Sequence, residues 1–123
     1  MRTTLLCIIC IALYSCSPRQ PISSLSTMDL SPTISYSEDK GESFHDAVIV
    51  SGVRNQREAI AAEYKYISDL HGQRGRDWFL VGQTIIHDQQ KVVDVVEIQL
   101  ANSVDRKLIY FDATNLLLSK SGN

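Results

Sequence analysis

Residues 78–100 read WFLVGQTIIHDQQKVVDVVEIQL, and this stretch decides the fold. Two runs that are rich in valine, isoleucine and aromatic side chains flank a polar tetrapeptide at residues 88–91. β-Branched and aromatic residues favour strands, and a short polar turn between two such runs is typical of a β-hairpin. The stretch therefore predicts two antiparallel strands, at residues 78–87 and 92–100.

Three further elements surround this hairpin. A turn at residues 102–105 leads into a strand at residues 107–112, and a final helical turn is predicted at residues 115–118. Upstream, residues 47–50 form a short β-branched run that ends at a Ser-Gly pair, which is typical of a strand. The sheet is therefore predicted to contain four strands.

One long helix is predicted between the first strand and the hairpin, at residues 55–70. Asn55 can cap its first turn, Glu58 stands three residues further on as in a capping box, and Gly72 follows the last turn. The order β-α-β-β-β indicates an α+β domain in which one helix packs on one face of an antiparallel β-meander. Short polar turns favour hairpins over crossovers in such a sheet.

Strand alternation divides the side chains between two faces of the sheet. The even-numbered residues from Trp78 to Ile86 are assigned to the helix-facing core, and Asp94, on the same side near a turn, is interpreted as a turn cap. The side chains assigned to the opposite face include Phe79, Val81, Ile85, Val93, Val95 and Tyr110. Because this face is too apolar to be freely solvated, it is predicted to be an interaction face for an envelope protein or a second copy of the chain.

Glu63 is the most unusual residue of the predicted helix, because it lies on the apolar stripe between Ile60 and Ile67. A buried carboxylate costs several kcal/mol unless it is hydrogen-bonded or paired. Two interpretations remain open. Glu63 is either a structural carboxylate that accepts hydrogen bonds from backbone N–H groups or a tyrosine hydroxyl, or a catalytic or ligand-binding group.

No other pattern points to catalysis. The 3 histidines lack metal-ligand spacing, the serines lack the flanking glycines of a nucleophile elbow, and no glycine-rich phosphate loop is present. The 12 basic residues stand against 14 acidic ones without a basic stripe, which argues against nucleic acid as a partner. We therefore expect no catalytic residues, no metal and no cofactor, and we expect that the protein is not an enzyme.

The N-terminus has the parts of a secretory signal. Arg2 is followed by an uncharged apolar run at residues 5–14, which ends in the tetrapeptide Leu-Tyr-Ser-Cys at residues 13–16. A helix of that length rises roughly 15 Å, whereas the hydrocarbon core of a membrane is ~30 Å thick. A stable membrane span is therefore not expected from this run.

The tetrapeptide resembles the lipobox of bacterial lipoproteins. The resemblance implies that the chain is cleaved after Ser15 and that lipid on Cys16 holds the protein on a membrane. Cys7 and Cys10 would then leave with the signal, so the mature chain would form no disulfide. Ser17 is not the aspartate that typically retains lipoproteins in the inner membrane. The resemblance thus favours the outer membrane, with the domain facing the periplasm.

The sequence therefore predicts three regions: a signal peptide at residues 1–15, the lipidated cysteine and a disordered tether rich in Ser, Thr and Pro at residues 16–42, and the α+β domain at residues 43–123. An anchor, a tether and a half-apolar second face favour a non-catalytic interaction module. The alternatives are a protein that binds a small ligand in a pocket between helix and sheet, and a small envelope hydrolase.

Overall fold

The structure is a computed structural model that describes residues 33–118. In chain order its elements are β1 (Ser35–Tyr36), β2 (Val48–Ser51), α1 (Gln56–His71), β3 (Trp78–Asp88), β4 (Lys91–Leu100), β5 (Arg106–Asp112) and α2 (Thr114–Leu118). The predicted fold class is confirmed, since one long helix accompanies a sheet whose strands are mostly antiparallel. The signal peptide and Cys16 lie outside the described residues.

The five strands lie in the order β1-β2-β5-β4-β3. The strands β3, β4 and β5 form the predicted antiparallel meander, and β2 pairs with β5 in parallel. Since α1 connects β2 to β3, it carries the chain from one side of the meander to the other. As a result β3 is an outer strand of the sheet, and β5 and β4 lie inside it.

Both ends of α1 have the predicted capping residues. The Asn55 side chain accepts a hydrogen bond from the Glu58 N–H at 2.9 Å, and Gly72, with φ of 101°, follows the last turn. The Glu58 carboxylate accepts from the N–H of Arg54 at 2.7 Å, one residue before the position that a capping box would use. The Gly72 N–H donates to the Ser68 carbonyl at 2.9 Å, which closes the C-terminal turn.

The main core lies between α1 and the sheet. Its fully packed members are Val48, Ile67, Trp78, Val96, Ile98, Ile109 and Phe111. The indole N–H of Trp78 donates to the Gly72 carbonyl at 3.0 Å, so the largest core side chain also fixes the end of the helix. Leu70, in contrast, is 58% exposed and does not belong to this core.

The folded domain begins before residue 43, which corrects the predicted tether at residues 16–42 over residues 33–42. The strand β1 pairs with β2 in antiparallel fashion, and the Tyr36 hydroxyl donates to the Ala62 carbonyl at 2.8 Å. The Tyr36 ring also packs on the ring of Tyr66, with 5.2 Å between centroids. One aromatic side chain therefore holds a polar segment against the helix, and composition alone does not reveal such an anchor.

The two positive-φ glycines after α1 give a matched test of this end of the helix. A Cβ atom on Gly72 would lie 2.8 Å from the Asp77 Cβ, whereas one on Gly75 (φ of 82°) would meet nothing within 4 Å. We expect Gly75→Ala to lower the free energy of unfolding by about 1 kcal/mol through backbone strain alone. Gly72→Ala adds a steric clash and should cost clearly more. Urea denaturation measures both, and equal losses would contradict the packing described here.

Candidate functional site

The strand β3 contains one extra residue in its pairing with β4. Leu80 lies opposite Ile98, but Gly82 lies opposite Glu97, so the register shifts at Val81. An extra residue in one strand is a β-bulge, and because strand side chains alternate, a bulge exchanges the two faces for every residue that follows. The second half of β3 therefore has the opposite orientation from the one that simple alternation predicts.

This bulge corrects the assignment of faces. Gln83 pairs with Val96 and Ile85 pairs with Asp94, so both side chains lie on the side of the sheet that α1 covers. Thr84 and Ile86, which were assigned to the core, lie on the other side. Ile85 therefore does not belong to the predicted interaction face.

The remaining residues of the predicted interaction face are only partly open. Val93 and Val95 are 0% and 7% exposed, and they form a second small core with Ala47. Phe44 and Tyr110 pack against this cluster. The segment that precedes β2 therefore covers the centre of the face, which is a correction of the predicted open surface. Phe79 and Val81, nearer the edge, stay 45% and 39% exposed.

The bulge brings Gln83 onto a pair of buried carboxyl groups. Its Nε2 donates to Asp94 Oδ2 at 2.5 Å and to Glu63 Oε2 at 3.3 Å, and its Oε1 accepts from the Tyr64 hydroxyl at 2.9 Å. Glu63 and Asp94 are each 4% exposed. The burial predicted for Glu63 is thus confirmed, but the interpretation of Asp94 as a turn cap is wrong, because its carboxylate lies beside Gln83 and Glu63.

The pKa of Glu63 lies well above neutral pH, so this carboxyl group keeps its proton there. Burial first, and then the charge of Asp94 and a hydrogen bond with it, together raise the pKa of Glu63 to about 9. Burial also raises the pKa of Asp94, while hydrogen bonds from Gln83 and Glu63 oppose the rise. Asp94 Oδ1 is buried and accepts no hydrogen bond. A protonated Glu63 can donate a hydrogen bond to the Asp94 carboxyl group, so Glu63 is the neutral member of the pair.

This arrangement favours the structural interpretation of Glu63. Carboxyl groups with raised pKa values serve as general acids in many enzymes, but they must reach a substrate. Both carboxyl groups here are buried between α1 and β4, and Gln83 closes them off on the side of β3. Gly82 is the sequence signal of the bulge that places Gln83 here, because a glycine inside a strand is a common mark of a bulge.

The outer edge of β3 is the longer of the two outer strand edges in the described sheet. The Gly75 N–H donates to the Trp78 carbonyl at 2.8 Å and so occupies the start of this edge. Beyond Trp78, no strand within residues 33–118 pairs with that side of β3. Four apolar side chains along it are between 38% and 45% exposed, namely Phe79, Val81, Ile85 and Ile86.

An open depression of about 480 Å³ lies at the other end of the hairpin, on the side of the sheet away from α1. Phe44, Lys91 and Asp112 are among the residues that line it. The Lys91 amine donates to the Phe44 carbonyl at 2.8 Å and lies 3.9 Å from Asp112 Oδ2, so its charge is already engaged. This depression is not the ligand pocket that was expected between helix and sheet. Packed core side chains fill the space between helix and sheet.

Across residues 33–118, no three His, Cys, Asp or Glu side chains come together as a metal site would require. None of the helices in this part of the chain is long and apolar enough to cross a membrane.

Comparison of the chain with protein-family models, with curated proteins and with solved structures finds no match.

The raised pKa of Glu63 predicts a specific pH dependence of stability. Between pH 4.5 and about 9 the folded chain keeps a proton on Glu63 that the unfolded chain releases. The free energy of unfolding should therefore fall as the pH rises through this range, by at most about 1.4 kcal/mol per pH unit. Glu63→Gln mimics the neutral acid and should remove this slope. Urea denaturation from pH 5 to pH 9 measures both profiles.

Glu63→Ala is the control for burial. It removes the partner of Gln83 and Asp94, so it should cost about 1–3 kcal/mol at pH 5. Like the Gln chain it lacks the ionisation of Glu63, so this deficit against the wild-type chain should shrink as the pH rises. Parallel profiles for the wild-type and Gln chains would show that Glu63 carries no proton in the folded protein, and an Ala variant as stable as wild type would contradict its role in the core.

Proposed function

We propose that this chain is a lipoprotein held on the outer membrane through Cys16, and that its domain is a non-catalytic interaction module whose binding element is the outer edge of β3. The lipobox-like tetrapeptide at residues 13–16 supports the anchor. Residues 17–32 would then join the lipidated cysteine to the first described residue, Thr33. Such a segment gives the domain room to meet partners at the membrane surface.

The single observation that carries the interaction role is the open edge of β3 beyond its bulge. Soluble proteins protect exposed strand edges with charged side chains, proline, β-bulges or very short strands, because a free edge pairs readily with another strand. The strand β3 is 11 residues long and contains no lysine, arginine or proline, and beyond the bulge it pairs regularly with β4 from Gly82 to Asp88. Alternate residues of an outer strand present free backbone N–H and C=O groups, which is the surface that strand addition uses.

The rest of the domain holds this edge in a fixed shape. Trp78 anchors the start of β3 beneath α1, and Gln83 anchors its middle on the buried carboxyl pair. Pairing with β4 continues along the strand to Asp88. A binding strand that is already ordered loses little conformational entropy when a partner arrives, which favours affinity.

The membrane anchor is tested by Cys16→Ser. This change removes the thiol that would take the lipid, so labelling with palmitate should disappear and the chain should leave the outer-membrane fraction. Ser17→Ala keeps the cysteine and serves as the control, with labelling and fractionation unchanged. A Cys16→Ser chain that still fractionates with outer membranes would contradict the proposed anchor.

The binding edge is tested by replacing Ile86 with a photoreactive benzophenone amino acid in the full chain and illuminating intact cells. Leu108 is the matched control, because it is 45% exposed against 38% for Ile86 but lies on the inner strand β5. We expect a crosslinked product from position 86 at least several times more abundant than from position 108. Equal yields, or no product from position 86, would contradict the proposed binding element.

A further inference from the structure

We infer that the strand that binds β3 is the β3 strand of a second copy of this chain, paired antiparallel about a two-fold axis. The two five-stranded sheets would then form one continuous sheet across the dimer. This inference rests on the proposed function, because it identifies the occupant of the same edge. A two-fold axis places the same surface of both copies in contact, so the edge must be complementary to itself.

The backbone of β3 beyond the bulge, from Gly82 to Asp88, meets that requirement. An antiparallel pair satisfies the free N–H and C=O groups of both edges by the same pattern of hydrogen bonds. The centre of the strand carries no repelling charge, because Asp, Glu, Lys and Arg are all absent from residues 78–87. The whole chain has a formal charge of only -2, so two copies do not repel each other strongly at a distance.

The charges at the two ends of β3 select the antiparallel orientation. Arg74 and Arg76 precede the strand, and Asp88 ends it. Arg76 is paired with Asp77 at 2.8 Å, but the Arg74 guanidinium stacks on the Tyr64 ring at 4.5 Å and makes no ion pair within the described residues. Antiparallel pairing brings the arginine end of one copy nearer to Asp88 of the other than parallel pairing does. Parallel pairing would instead bring like charges together at both ends.

Side-chain faces restrict the register of this pairing. For one sheet to continue into the next, residues that lie opposite each other must point to the same side. Pairing centred on Thr84 satisfies this rule, with Thr84 of each copy opposite Thr84 of the other. Gln83 then lies opposite Ile85 of the other copy on the α1 side, and Gly82 lies opposite Ile86 on the other side. The exposed isoleucines of both copies become partly covered at this contact.

Charge exchange at Thr84 tests the inference. Thr84 is exposed and lies on the face away from the carboxyl pair, so a charged side chain there leaves the core intact. Side chains directly opposite in an antiparallel pair have Cβ atoms about 5 Å apart, where like charges repel and opposite charges attract. Full chains with two different affinity tags are co-expressed, extracted in detergent and purified through one tag, and recovery of the other tag is measured.

Wild-type copies should co-purify. Two Thr84→Lys copies, or two Thr84→Glu copies, should lose at least nine-tenths of this recovery, and a Lys copy with a Glu copy should regain it. Leu108→Lys, on the inner strand β5, should leave recovery unchanged. The inference would be overturned if neither charged substitution lowered the recovery of the second tag. It would also be overturned if a Lys copy and a Glu copy failed to co-purify.

The benzophenone product at position 86 separates this inference from the proposed function. Mass spectrometry of the product should show β3 joined to β3 of a second copy. A product that joins β3 to a different protein would overturn the self-pairing while supporting the interaction role. No product at all would overturn both.

Discussion

The buried carboxyl pair is the constraint on which the arrangement of this domain depends. Glu63 on α1 and Asp94 on β4 are both 4% exposed, and two ionised carboxylates at such a place would repel each other without compensation. A proton on Glu63 and the amide of Gln83 resolve this conflict. The amide reaches the pair only because the bulge at Val81 turns the second half of β3 over. The bulge in β3 therefore allows Glu63 and Asp94 to be buried together between the helix and the sheet.

The same bulge shapes the outer edge of the sheet. It ties the middle of β3 to α1 through Gln83, while Trp78 ties its start to the end of that helix. The strand is thus fixed on its inner side and open on its outer side. The bulge therefore sets the contact of Gln83 with the buried carboxyl pair, while the strand order leaves the outer side of β3 unpaired. The carboxyl pair and the proposed binding element thus lie on the same strand.

Local signals in the sequence predicted most of the elements. Asn55 and Gly72 mark the ends of α1, because helix capping depends on backbone groups that are close in sequence. The polar turn at residues 88–91 marks the hairpin, because turn formation also depends on residues that are close in sequence. The faces of β3 could not be predicted by alternation, because one inserted residue reverses them and Gly82 was its only mark. The covering of Val95 and the docking of Tyr36 depend on contacts between distant segments, which periodicity does not contain.

Carboxyl carbon-13 NMR measures the protonation of Glu63 in the folded protein directly. In the full chain labelled at the glutamate side-chain carboxyl carbon, the Glu63 resonance is identified by its loss in Glu63→Gln and followed from pH 4 to pH 10. We expect a neutral acid at pH 7 and a midpoint near 9. A midpoint below 5 would show instead that two ionised carboxylates coexist in this core at neutral pH.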